Sequence, residues 1–138
     1  MLARFIHSPI SLMNDEITLT IPRSREYLTV AHLVLGGIGI RLNLTIETLE
    51  DLQLALDAVL ERDREPGEVT IAVRLGSGAI ETEIGPLRDG VRRELDREPD
   101  DEVGLRRILD TLVDTIDVSV REGGLFLTMR KSVTEEAA

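Results

Sequence analysis

Residues 51–63 read DLQLALDAVLERD. Leu52, Leu56, Val59 and Leu60, with Leu49 just before them, recur at the three- and four-residue spacing of one face of an α-helix. At about 100° per residue, Asp57 and Glu61 fall nearly opposite that stripe, beside Glu50. Asp51, Ala55, Ala58 and Arg62 form the shoulder next to the stripe, where a pocket wall would lie. Thr45 is a suitable N-cap, and Arg64-Glu65-Pro66-Gly67 a suitable stop, so the pattern predicts a helix from Thr45 to about Asp63.

On the N-terminal side, ITLTIP (Ile17–Pro22) alternates apolar and polar residues as a half-buried strand does. Ser24 is placed to open a helix through about Asn43, with Tyr27, Val30, Ala31, Val34 and Leu35 on one side. The glycines in its LGGIGI stretch weaken that helix and permit close packing. On the C-terminal side, EVTIAVRL and AIETEI are joined by GSG (Gly76–Gly78), which reads as a hairpin. Residues 85–102 are polar, with a short helix over 88–96, and a further helix runs from about Val103 to Val113. TIDVSVRE and LFLTMRK form a second hairpin around Gly123-Gly124. Residues 1–15 read as irregular and the tail from 133 to 138 as loose, leaving one domain over 16–132. Hairpins with helices grouped between them predict an α+β fold, a two-layer α/β sandwich whose mostly antiparallel sheet carries helices on one face.

The 138 residues are 42% hydrophobic, enough for one core, and 30% charged. The absence of cysteine removes disulfides and thiolate chemistry, and His7 and His32 stand in no ligand-spaced cluster, so no metal site is expected. A net charge of -10 opposes nucleic acid and anionic membranes and suits a basic protein surface. The cations are fifteen arginines and Lys131, a skew that points to high-GC coding and a bacterial source. No run reaches the ~18 apolar residues of a membrane span. Arg4, His7 and Pro9 interrupt any signal-peptide core, so the expected location is cytoplasmic.

Five pieces, in this order, carry a family likeness: IPRSREYLTVAHLVLGGIGIRL, ETLEDLQLALDAVLERD, EIGPL, VGLRRILDTLVDTIDV and EGGLFLTMRK. Over roughly residues 17–131 the chain resembles the histidine-kinase-type ATPases, the Bergerat fold, and within them the bacterial anti-sigma-factor serine/threonine kinases. The resemblance implies ATP, magnesium, and a Glu and an Asn four residues apart on the second helix. The Glu positions the attacking group and the Asn binds the metal. Those positions hold Ala58 and Arg62. A one-residue slip would offer Asp57 and Glu61 instead, but on the face turned to solvent. Arg62 either meets a phosphate by charge or is a surface arginine. The family's Asp-x-Gly-x-Gly box matches Glu83-Ile84-Gly85-Pro86-Leu87, which implies an adenine contact for Glu83. Ile80, Thr82 and Ile84 hold the core parity of that strand, so the competing reading turns Glu81 and Glu83 to water. The second box keeps only Gly104, behind Asp100, Asp101 and Glu102, whose charges would satisfy the helix amides and repel a triphosphate. In the last hairpin Gly124 matches, Leu125 replaces a Thr, and Phe126 and Met129 are core or interface residues.

The resemblance therefore leaves a vestigial nucleotide site of Arg62, Glu83, Gly85 and Gly104, with no catalytic residue, no metal ligand and no cofactor, ATP being the alternative. It implies a non-catalytic or weakly nucleotide-binding regulator that grips a sigma factor or an anti-anti-sigma protein, and a homodimer. A divergent ATP-binding protein kinase is the alternative, and a plain dimerisation domain a third reading. The first helix around Tyr27–Leu35 is the expected interface, unless its apolar residues are core.

Overall fold

The computed structural model describes residues 4–8, 16–63, 66–76, 78–96, 104–121 and 123–133. Strands β1 (Arg4–Ser8), β2 (Glu16–Pro22), β3 (Glu68–Gly76), β4 (Ala79–Leu87), β5 (Thr115–Arg121) and β6 (Gly124–Ser132) form one antiparallel sheet in the order β1-β2-β3-β4-β6-β5. Helices α1 (Leu28–Arg41), α2 (Ile46–Glu61), α3 (Asp89–Leu95) and α4 (Leu105–Leu112) pack on one side, giving the expected two-layer sandwich. Both hairpins and the short helix after β4 stand where the sequence predicts them. Among the described residues no helix is long and apolar enough to cross a membrane.

Two expectations change. Arg4–Ser8, within the stretch expected to be irregular, pairs in register with Glu16–Thr20. The open edge of β2 supplies backbone partners to an extended segment whatever its side-chain pattern. Ser24 does not cap a helix with its side chain. A 3-10 turn over Arg25–Tyr27 intervenes, with the Tyr27 amide bonded to the Ser24 carbonyl, and α1 begins at Leu28. Thr45 does cap α2: its hydroxyl accepts from the Thr48 amide at 3.1 Å. The tail beyond 133 and the carboxylates at 100–102 lie outside the described residues.

Register decides what each strand residue does. Leu19 pairs with Ile71, Ile71 with Ile84, Ile84 with Leu127 and Leu127 with Val118. Cross-strand partners share a face, so this row lies under the helices. The opposite parity carries Glu16, Arg74, Glu83, Thr128 and Asp117 on the outer, helix-free face. Between the layers, Leu35 of α1, Leu56 and Val59 of α2, and Leu105 and Leu109 of α4 meet the inner sheet residues in one core. Gly39 lets α1 and α2 close, since a Cβ there would stand 3.3 Å from the Leu49 side chain.

One ion pair sits inside this architecture. Arg23, just past β2, places Nε 3.4 Å from Oδ2 of Asp63 at the end of α2, with side chains 2% and 0% exposed. Asp63 also accepts from the Arg88 amide at 3.2 Å, and the Arg23 guanidinium donates to the Pro86 carbonyl. The ends of β2, α2 and β4 are thus tied at one point. Removing one partner of a buried pair strands the other charge. Asp63→Ala is expected to lose roughly 3–5 kcal/mol of stability, read as a fall in the urea midpoint with little change in slope.

Candidate functional site

The shoulder of α2, where the sequence places a pocket wall, is a packed seam. Asp51 Oδ2 lies 3.1 Å from Lys131 Nζ, and the same ammonium donates to the Leu112 carbonyl at 2.7 Å. A cation at the last turn of α4 satisfies carbonyls that have no partner within the helix. Ala55 and Ala58 are buried, and α4 packs along α2 with Leu105 and Leu109 fully enclosed. Arg62, the C-cap, donates from a terminal guanidinium nitrogen to the Ala58 carbonyl at 2.9 Å, closing its own helix. The other pair, Asp57 and Glu61, is no substitute. Asp57 Oδ1 is 2.7 Å from His32 Nε2, Gln53 donates to the His32 carbonyl at 3.2 Å, and Glu61 is exposed. The first two contacts hold α1 to α2.

Strand parity sends Glu83 to the outer face. There it meets Arg74 at 3.3 Å and Arg121 at 2.8 Å, while Arg74 also reaches Glu16 at 2.6 Å. Burial raises the Glu83 pKa, but the hydrogen bond from Arg121 and the charges of Arg74 and Arg121 outweigh it and hold the carboxyl below its ordinary value. Gly85 has a packing reason to be glycine. A Cβ there would stand 2.3 Å from the Phe126 ring, which lies across it and carries the Arg121 guanidinium 3.9 Å from its centroid. Met129 and Leu125 are core. Gly104 is the buried, extended N-cap of α4 and makes no side-chain cap. Arg62 and Gly104 therefore belong to the helix layer, and Glu83 and Gly85 to the far side of the sheet. The structure does not bring the four together.

Sequence reasoning missed two features. A cleft of about 300 Å³ opens between the end of β2, the start of α1 and the end of α2, lined by Arg23, Arg25, Leu28, Leu60 and Asp63 among others. The two arginines that follow the strand-ending proline in IPRSR are its only sequence signal. Thr82 points inward from β4, 2% exposed, and its hydroxyl has no hydrogen-bond partner. Its parity was legible, but its isolation was not.

As a set, these side chains do not fit a magnesium-held triphosphate. At the two positions where the resemblance implies a Glu and a magnesium-binding Asn, Ala58 is a buried methyl group and Arg62 is a guanidinium bonded back to its own helix, and Glu83, where the resemblance implies an adenine contact, faces the other way. No group of three His, Asp or Glu side chains able to hold a metal occurs among the described residues.

No family model matches the chain. Over 92% of its length, and 93% of theirs, it is 27% identical to the serine-protein kinases RsbW of Listeria innocua and Listeria monocytogenes. A serine-protein kinase RsbW of Oceanobacillus iheyensis is 25% identical over 88% of this chain and 89% of its own. The chain is a distant relative of these kinases. That agrees with the family likeness drawn from the five sequence pieces, and nearly the whole length of the kinases is matched.

Two outcomes are expected at these positions. Ala58→Glu with Arg62→Asn, which installs the pair that the resemblance implies, is expected to yield no phosphate transfer to a sigma-factor regulator. The larger side chain overfills the buried site of Ala58 at about 1–3 kcal/mol, and the double variant is less stable than Ala58→Glu alone because the arginine one turn away is gone. Glu83→Gln loses about 1–3 kcal/mol at neutral pH. Since the folded pKa is depressed, the contribution of Glu83 is present above its ordinary value of 4.5 and lost as pH falls through the folded value. The gap between wild type and Glu83→Gln, measured by urea unfolding, therefore narrows below pH 4.5.

Proposed function

We propose that this is a cytoplasmic bacterial regulator that acts by gripping a protein partner, a sigma factor or an anti-anti-sigma protein, without phosphorylating it and without ATP. The observation that carries the reading is the closed shoulder of α2. Asp51 is held by Lys131, Ala55 and Ala58 are buried, and Arg62 caps its own helix. A surface remains for binding after the chemistry is lost. The kinship with serine-protein kinases supports a partner among the proteins that such regulators control.

The outward side of α1 and α2 is the surface that suits this work. Leu33, Ile40, Ile46 and Leu54 are 71%, 84%, 71% and 54% exposed there. The expected interface over Tyr27–Leu35 thus shifts. Ala31 and Leu35 are core, Tyr27, Val30 and Val34 pack against it, and only Leu33 of the apolar residues in that stretch faces fully outward. An apolar centre of this kind, on a chain of charge -10, favours a partner with apolar anchors and a basic rim.

Affinity capture from the native bacterium, with and without ATP, tests the reading. Recovery of a sigma factor or an anti-anti-sigma protein in both buffers is expected, and Leu33→Asp or Ile40→Asp should abolish recovery without lowering the melting temperature. Recovery that requires ATP would instead support a divergent kinase. Thermal melting with ATP and magnesium gives an independent check. Ligand at ~100 times its dissociation constant adds ~2.7 kcal/mol, and no such upward shift is expected.

A further inference from the structure

Gly36 lies inside α1, where a glycine weakens a helix by the backbone freedom it loses. Gly39 has a packing reason in the Leu49 side chain, but a Cβ built on Gly36 would meet nothing within 4 Å. The fold itself does not call for a glycine at 36. Leu33 and Ile40, three residues before it and four after, are exposed on one side of α1, so the missing side chain leaves a notch between two aliphatic ones. Alongside, α2 turns a row of carboxylates outward. Glu50, Asp57 and Glu61 share one helical stripe, with the exposed Leu54 among them. His32, one turn before Gly36, is bonded to Asp57 of that row at 2.7 Å, so the notch and the row lie side by side.

Resting on the partner-binding reading, we infer that this notch seats one α-helix of a basic protein partner. The helix crosses α1 at Gly36, with an apolar stripe against Leu33 and Ile40 and with arginines or lysines toward Glu50, Asp57 and Glu61. The backbone groups of α1 and α2 are bonded within their helices, so this face offers no strand edge to an extended segment. A helix brings its own backbone bonds and presents side chains at the spacing of the surface it meets. At Gly36 its ridge of side chains sinks toward the α1 backbone, where any larger residue would hold the two axes apart. Charge selects the partner's sign. Asp57 is shared with His32, but Glu50 and Glu61 stand exposed at the rim, on a chain of net charge -10. A second copy docked through the same face would set acidic row against acidic row, so it is not the occupant.

The probe is the sigma factor or anti-anti-sigma protein recovered by affinity capture, purified and titrated against the full-length chain. Gly36→Ala is expected to raise the melting temperature by a few degrees, since the added methyl group favours the helix and meets nothing. The same change should weaken the complex roughly tenfold or more, because that methyl group stands where the partner helix packs. A purely structural glycine would not set stability and binding in opposition. Glu50→Lys should weaken the complex too, by a factor that shrinks as salt rises. A photo-crosslinking residue in place of Leu33 should join to a helical partner segment with Lys or Arg along one flank. A partner that binds Gly36→Ala or Glu50→Lys as tightly as the wild type overturns the helix-binding notch and leaves the regulator reading standing, as does a cross-link into an acidic or extended segment. Recovery of no regulator, with or without ATP, overturns both.

Discussion

Everything in the helix layer depends on how closely α4 approaches α2. Ala55 and Ala58 are buried on α2 with only methyl groups for side chains, and α4 packs against that helix. With α4 seated, Leu105 and Leu109 are fully buried, each contributing on the order of 2 kcal/mol. Lys131 then reaches both the end of α4 and Asp51. A ligand that opened the seam would have to replace that burial and strand Asp51.

On the other side of the sheet, charge is used for structure. Glu16, Arg74, Glu83 and Arg121 alternate in sign from β2 to β5, and each carboxylate has a guanidinium within 3.3 Å. Arg23 and Lys131 are likewise matched, by Asp63 and Asp51. Several of the few cations are thus spent inside the fold on acidic partners, while carboxylates outnumber cations by 26 to 16. The acidic exterior that suits a basic partner follows from this division.

The elements were legible because their periodicities were clean. The stripe of α2, the Thr45 cap and the glycine turns of both hairpins could be assigned from spacing alone. The face of Glu83 was legible too, since Ile80, Thr82 and Ile84 fixed the parity, and a match of residue type does not override a strand's alternation. Other features depend on distant partners. The strand at Arg4–Ser8 exists because β2 offers an edge, Ser24 lost its cap to a 3-10 turn, and the purpose of Gly85 is the Phe126 ring, over forty residues away. The shoulder of α2 was placed correctly as a face, but only the position of α4 shows that it is shut.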